Sequence, residues 1–371
     1  MKEECIMNRK SLRRIGVFGA AFVAAAGILA GCGSSSTSST TAAASEETAA
    51  AEAEESEAAE DSEASDADAA NDPAVEFKLA ENQSADNPIT QGMEMFAKLA
   101  NEYSGGSVTI DVYADAQLGT ENETIDQVQA GTLDMARINT SALASTADEV
   151  GVFTLPYIFT STEQKYKVLD GEIGQNIESA LENYNIHSLG YWEAGSRNFY
   201  TVDKPITCVD DMKGLKIRVQ QSDVAIKMVE LLGAAATPMS YGEVYQGLQT
   251  GVIDGAENDF VSYYTSGHYE VAKYFTLDGH MAPPAMLLVS KTSWDKMTAN
   301  QQAAVEKAAA EAREWQRQAM QDYQNESRAK VEEAGCEIIE VDPKEFQDAV
   351  AEIYDMYPQY SEVIEGIKAI D

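Results

Sequence analysis

Arginine is the residue type in this sequence whose placement points most directly to chemistry. Beyond residue 31 the chain contains six arginines, and three of them lie on one long charged stretch that predicts an exposed helix: Arg313, Arg317 and Arg328. The other three, Arg137, Arg197 and Arg218, lie within or beside apolar, strand-like runs, where an unpaired charge is costly to desolvate. Because a guanidinium can hold a carboxylate through two parallel hydrogen bonds, these positions suggest anion binding.

Arg218 is the arginine with the most informative surroundings. Apolar and polar residues alternate over 215–220, as expected of a strand, and Ser222 begins a helix over 224–232 that Gly233 ends. A strand followed at once by a helix places Arg218 near the carboxyl end of the strand, where open α/β sheets bind ligands. Two interpretations remain open, a ligand-binding arginine and an edge-strand arginine held in a structural ion pair.

Residues that would catalyse a reaction are not grouped by any motif. His187, His268 and His280 lie in unrelated segments, and no motif holds any of them beside a serine or cysteine. Histidine and cysteine also lack the spacing of a zinc site. The sequence therefore predicts a binding protein without metal or cofactor. The alternatives are a secreted enzyme acting on acidic sugars, since carboxylate pairs are abundant, and a subunit that presents its ligand to a sensor.

The first 73 residues predict a leader and a tether. Five basic residues precede an apolar run over 15–30, so residues 1–31 are predicted to be a secretion signal, with Met1 or Met7 as the start. The ending Leu-Ala-Gly-Cys resembles the bacterial lipoprotein signal, in which Cys32 would be acylated and would anchor the protein to the outer face of the cytoplasmic membrane. Residues 33–73 contain 12 acids, no base and no aromatic residue, which predicts a disordered tether.

The remaining 298 residues are long enough for one large domain or two lobes. They contain 21 basic and 48 acidic residues, so their net charge is 21 minus 48, or −27. This charge repels nucleic acid and anionic lipid headgroups, and it makes a few inward-facing arginines the obvious site for an anion. Cys208 and Cys336 are far apart and lack the spacing of a disulfide framework, which favours two buried free thiols.

A strand-helix-strand unit occurs twice. Residues 75–80, 88–103, 108–113, 121–130 and 132–139 alternate between strand and helix patterns, which predicts parallel β-pairing. The segment 123–136 is identical to 243–256 at five of fourteen positions, and each copy is a helix ended by glycine and followed by a strand with a polar end. Ser240 and Glu243 are predicted to form the capping box of the second helix. Two similar lobes would then face each other across a cleft.

The C-terminal part predicts one very long helix. Residues 298–334 contain no internal glycine or proline before Gly335, and a helix of that length spans about 55 Å and could brace both lobes. The predicted fold is α/β and two-lobed, with a ligand cleft between the lobes and the long helix near the C-terminus. Residues 74–195 and about 285–322 form lobe 1, and residues 196–284 and about 323–371 form lobe 2.

Several motifs in a fixed order resemble one family. LPYIF at 155–159, GSRNFYT at 195–201, DMKGLKIRV at 211–219 and SYGEVYQGLQTGVIDGAEN at 240–258 are similar to the solute receptors of tripartite ATP-independent periplasmic (TRAP) transporters. The resemblance covers residues 77 to about 330. It implies a two-lobed α/β fold like that of periplasmic binding proteins. It also implies an extracytoplasmic protein that closes on an organic acid, either a sugar acid or a dicarboxylate, and delivers it to membrane permease subunits.

The resemblance also implies site residues. Arg218 falls on the arginine that binds the ligand carboxylate, and Arg197 and Asn258 fall on residues that join it. Arg137 falls where some sugar-acid receptors place another polar contact, and Glu81, near the first strand, is implied to bind sugar hydroxyls. Gly255 to Asn258 and the SYY at 262–264 resemble receptors for uronic acids and other sugar acids, whereas Pro284-Ala285 departs from their pattern.

Overall fold

The computed structural model describes residues 72–371, which form two β-sheets covered by helices. The predicted leader, the acylation site Cys32 and nearly all of the predicted tether lie outside the described residues. Within the described residues, no helix is long and apolar enough to cross a membrane.

Five strands form the first sheet. Numbered along the chain, they are β1 (Val75–Ala80), β2 (Val108–Tyr113), β3 (Met135–Asn139), β4 (Ile186–Trp192) and β10 (Ala285–Ser290). Their order in the sheet is β2-β1-β3-β10-β4. β1 pairs in parallel with β2 and β3, as the predicted strand-helix-strand order requires, and β10 pairs antiparallel with β3 and β4.

Six strands form the second sheet. They are β5 (Arg197–Thr201), β6 (Lys216–Val219), β7 (Ala235–Pro238), β8 (Gly255–Asn258), β9 (Tyr274–Met281) and β11 (Glu337–Glu340). Their order is β11-β9-β5-β8-β6-β7. β5 runs antiparallel to both β8 and β9, whereas β6 runs parallel to β7 and β8. The chain passes between the sheets after β4, after β9 and after β10, so each sheet forms the centre of one lobe.

Helices cover both sheets. Those before β5 are α1 (Pro88–Tyr103), α2 (Glu121–Ala130), α3 (Thr140–Leu143), α4 (Thr162–Asp170) and α5 (Glu172–Ala180). Those between β6 and β10 are α6 (Asp223–Leu231), α7 (Val244–Thr250), α8 (Phe260–Thr265) and α9 (His268–Val271). The C-terminal ones are α10 (Lys291–Trp294), α11 (Ala299–Glu333), α12 (Pro343–Ala349), α13 (Ile353–Met356) and α14 (Ser361–Lys368).

The two repeated units have matching local structure. Gly131 and Gly251 end α2 and α7 in the left-handed conformation, with φ of 72° and 73°. Asp134 accepts a hydrogen bond from the backbone N–H of Lys78 at 3.0 Å, and Asp254 accepts one from that of Lys216 at 2.8 Å. Each aspartate thus ties its unit to the neighbouring strand, and both strands then lead to the gap between the lobes.

Helix α11 contacts both lobes, as predicted. Its N-terminal half packs Val305, Ala308 and Ala312 into the apolar core of the first lobe, and Val331 packs into that of the second. At its middle, the side-chain amide of Gln316 makes two hydrogen bonds with the backbone of Glu193, where the chain leaves β4 for the second lobe. The helix therefore runs beside the crossing point of the lobes and is long enough to link them.

Three local predictions are wrong. The predicted capping box at Ser240 does not form, because a 3-10 turn over Tyr241–Glu243 precedes α7 and the Ser240 side chain accepts no capping hydrogen bond. The sequence after the long helix predicts one short helix over about 343–357, but in the structure this helix is interrupted after α12 and resumes as α13. Cys208 is disulfide-bonded, so only Cys336 is the buried free thiol that the sequence predicted, and the two do not pair.

Candidate ligand-binding site

The cleft between the lobes has polar walls. Its inner part is a narrow cavity of about 30 Å³, and a larger cavity of about 380 Å³ adjoins it. The residues that line both cavities come from both lobes: Asn82, Glu121, Arg218, Gln220 and Tyr241. The two cavities are therefore parts of one site between the lobes.

Arg218 is the second-to-last residue of β6, and its side chain lines both cavities. Its Nε and Nη2 donate to the carbonyl oxygen of Met239 at 3.0 and 2.7 Å, which fixes the guanidinium plane. Among the four buried arginines of residues 72–371, Arg218 alone has no carboxylate within 4 Å. Burial lowers the pKa of Arg218, because the charge has lost water without gaining an adjacent counterion.

Arg197 lines the inner cavity but already has a counterion. Its Nε and Nη2 bind the carboxylate of Glu257, with 2.9 Å between Nη2 and Oε1, and Nη2 also donates to the Glu257 carbonyl oxygen. Nη1 donates to Oδ1 of Asn258 at 2.9 Å. The antiparallel register of β5 and β8 brings these residues together. Arg197 is thus held rigidly beside Asn258, with its charge neutralised by the protein.

A buried histidine lies behind this pair. Nδ1 of His280 is 2.7 Å from Asp278, and Nε2 is 3.6 Å from the Glu257 carboxylate. Burial would lower the pKa of His280, but the two carboxylates outweigh burial and raise it to about 9. Burial would likewise raise the pKa of Glu257, but Arg197 and His280 outweigh burial and lower it to about 2. Glu257 is therefore ionised between two cations at neutral pH.

The first lobe contributes Arg137, the middle residue of β3. Its guanidinium binds the Glu81 carboxylate, with 2.7 Å between Nε and Oε2, and also contacts the side-chain oxygen of Asn82. Nη1 lies 3.7 Å from the carboxylate of Glu121. Glu81 is fully buried behind Arg137 and does not line either cavity, whereas Arg137 lines the inner one.

The cleft is electrically polarised. On the first lobe one arginine, Arg137, faces two carboxylates, of which Glu121 lines both cavities. On the second lobe Arg218 lines the same cavities without a carboxylate partner among the described residues. Asp259 is buried nearby but caps α8, accepting from the N–H of Val261 at 2.8 Å. A ligand in the cleft would therefore meet a free cation on one wall and a carboxylate on the other.

The structure brings four of the five predicted site residues to one cavity: Arg137, Arg197, Arg218 and Asn258. Among the large aromatic residues, Tyr241 lines the cleft, whereas Tyr191, Trp192 and Phe199 are buried in the lobes. Sequence reasoning missed Glu121, Gln220 and the Met239 carbonyl. Glu121 lies at the predicted start of a helix, and Gln220 follows the predicted strand of Arg218. The sequence does not show that their side chains point into the cleft, because this depends on how the lobes pack.

The site is suited to holding an anion rather than a metal. Within the described residues no group of three or more histidine, cysteine, aspartate or glutamate side chains could hold a metal ion. Guanidinium and amide N–H groups line the inner cavity through Arg197, Arg218 and Asn258. These groups recognise carboxylates by charge and by hydrogen-bond geometry.

Two lobes with an anion site between them define a solute-binding protein. The family described as bacterial extracellular solute-binding protein, family 7, matches residues 79–362. The chain belongs to this family, which confirms the predicted type of protein, a TRAP solute receptor. Its members are extracytoplasmic binding proteins for transport and not enzymes, also as predicted.

Relatives share most of the chain. A solute-binding protein of Chromohalobacter salexigens is 40% identical over 281 residues, which are 76% of this chain and 84% of that protein. A crystal structure of a TRAP periplasmic solute-binding protein from Xanthobacter autotrophicus Py2, with bound β-D-galacturonate, is 40% identical with a TM-score of 0.78 and covers 80% of this chain and all of that one. The C4-dicarboxylate-binding periplasmic protein DctP of Rhodobacter capsulatus is 34% identical, over 65% of this chain and 72% of that one.

Proposed function

We propose that this protein captures an organic acid in the cleft between its lobes and delivers it to the membrane subunits of a TRAP transporter. The ligand is a sugar acid such as a uronate or aldonate, or a C4-dicarboxylate. Its carboxylate binds the guanidinium of Arg218, with hydrogen bonds from Arg197 and Asn258. Arg137 contacts the ligand from the first lobe, and Glu81 holds Arg137 in place.

The observation that carries this proposal is the unpaired charge of Arg218. Burying a charge without a partner is expensive, and the other three buried arginines of the described chain each have a carboxylate. A ligand carboxylate would supply the missing counterion. Arg197 would contribute hydrogen bonds to the ligand but no net charge, because Glu257 already neutralises the Arg197 guanidinium. The guanidinium plane of Arg218, fixed by the Met239 carbonyl, would also set the orientation of the acid.

Delivery follows from closure of the lobes. A ligand that touches Arg218 on one lobe and Arg137 on the other favours the closed arrangement, because it binds that arrangement better than an open one. The closed form would then present the surface that the permease recognises. We propose that acylation of Cys32 anchors the protein at the outer face of the cytoplasmic membrane and that residues 33–73 tether the lobes there.

A thermal-unfolding screen of the full-length chain tests the proposal. Uronates, aldonates and C4-dicarboxylates are compared with the neutral sugars galactose and glucose. A ligand at 100 times its Kd stabilises the folded state by about 2.7 kcal/mol, so at least one acid should raise the melting temperature by several degrees while the neutral sugars do not. Equal shifts with neutral sugars, or none with any acid, would contradict the proposed function.

A further inference from the structure

The cavity that adjoins the carboxylate site contains more hydrogen-bond acceptors than the protein can satisfy. Oε1 of Gln220 is buried and has no hydrogen-bond partner, and the same is true of Oδ1 of Asn122. Both residues line this cavity together with the Glu121 carboxylate. Buried acceptors without partners are costly, so a ligand that brings donors here gains affinity.

Gln220 is placed to act on the same ligand as Arg218. The two residues are separated only by Val219 at the end of β6, and both line the inner and the adjoining cavity. A ligand whose carboxylate binds Arg218 would therefore extend past the Gln220 amide. A hydroxyl group there could donate to Oε1, whereas a methylene or a carboxylate could not.

On the opposite wall of this cavity, the carboxylate of Glu121 disfavours a ligand that carries a second negative charge. Its Oε1 accepts from the backbone N–H of Asn139 at 2.9 Å, and Arg137, the nearest cation, is itself bound to Glu81. A second ligand carboxylate in this cavity would be repelled by Glu121, because Arg218 is occupied by the first carboxylate. Arg137, 3.7 Å from Glu121, is shared by Glu121 and Glu81 and so does not offset a third carboxylate. A ligand hydroxyl would instead donate to Glu121.

We propose that Glu121 and Gln220 are specificity-determining residues that select a polyhydroxylated monocarboxylate, a uronate or aldonate, and reject a second carboxylate. This inference rests on the proposed function, since it takes Arg218 as the site of the first carboxylate. It narrows the ligand class, because aldarates and C4-dicarboxylates carry a second negative charge.

Galactonate and galactarate test the charge criterion, because they differ only in a terminal hydroxymethyl group and a terminal carboxylate. Calorimetric titration of the full-length chain should give a Kd for galactarate that is on the order of a hundredfold higher than the Kd for galactonate. This factor corresponds to the repulsion between two carboxylates about 5 Å apart at an effective dielectric constant of about 20. Glu121→Gln should reduce this ratio at least tenfold. Asp126→Asn removes the same charge from an exposed position of α2 and should leave the ratio unchanged.

Gln220→Leu tests the hydroxyl criterion. Loss of one hydrogen bond should weaken galactonate binding about tenfold, and the variant's circular dichroism and melting temperature show whether it is folded. Equal Kd values for the two acids in the parent chain, an unchanged ratio in Glu121→Gln, or an unchanged galactonate Kd in Gln220→Leu would overturn the assignment. So would binding of succinate or malate without either sugar acid, although the proposed capture of an organic acid would then survive.

Discussion

At the scale of single residues, the buried charges of the second lobe depend on one another. His280 lies between Asp278 and Glu257, and its ring stacks on Phe199 with 4.2 Å between ring centroids. Glu257 in turn holds Arg197 against Asn258. The protonated imidazole thus supports the carboxylate that orients Arg197, although it does not line the cleft.

This arrangement predicts how stability changes with pH. The pKa of His280 is raised from 6.5 to about 9, so its stabilising contribution is fully present below about pH 6.5 and is lost as the pH rises through 9. The melting temperature of the parent should therefore fall more steeply between pH 7 and pH 10 than that of His280→Gln, whose side chain does not titrate. Parallel curves for the two proteins would show that His280 is not protonated in the folded state.

At the scale of elements, the repeat offers a matched pair of helix ends. Gly131 and Gly251 have nearly the same left-handed φ, but a Cβ at Gly131 would lie 2.8 Å from Oγ1 of Thr292, whereas a Cβ at Gly251 would meet no atom within 4 Å. Gly251→Ala should lower the free energy of unfolding by about 1 kcal/mol, the cost of the left-handed conformation.

Gly131→Ala should cost more, because the new methyl group also displaces Thr292. Urea denaturation of both variants measures the difference, and Gly131→Ala combined with Thr292→Ala serves as the control, because it removes the Oγ1 atom that the new methyl group would crowd. Equal losses for the two single variants would mean that the contact with Thr292 relaxes without cost.

Local signals in the sequence predicted these elements well. The bounds of β1, β2, α1 and α2 agree with the structure, because capping residues and glycine ends act within one turn of the chain. The register of β5 on β8 could not be predicted from local signals, because it pairs residues about sixty positions apart in the sequence. That register gives Arg197 its counterion, so the sequence predicted three arginines in the cleft but not which of them is unpaired.

At the scale of the whole molecule, a strongly acidic chain encloses the anion site. The formal net charge is −36, so the protein as a whole repels the anions that we propose it binds. Recognition then depends on a local cation with a fixed direction, which the Met239 carbonyl provides by holding Arg218. The predicted lobe boundaries at 195/196 and 284/285 stay a prediction, and α11 runs along both lobes across them.

The central claim is that Arg218 meets the ligand carboxylate as an unpaired, planar cation. Arg218→Lys keeps the charge but loses the two parallel N–H groups and the double hydrogen bond to Met239. Calorimetric titration with the acid that binds most tightly in the thermal screen should show a Kd at least tens of times higher than that of the parent, while Arg328→Lys on α11 leaves it unchanged. A parent-like Kd in Arg218→Lys would contradict the account.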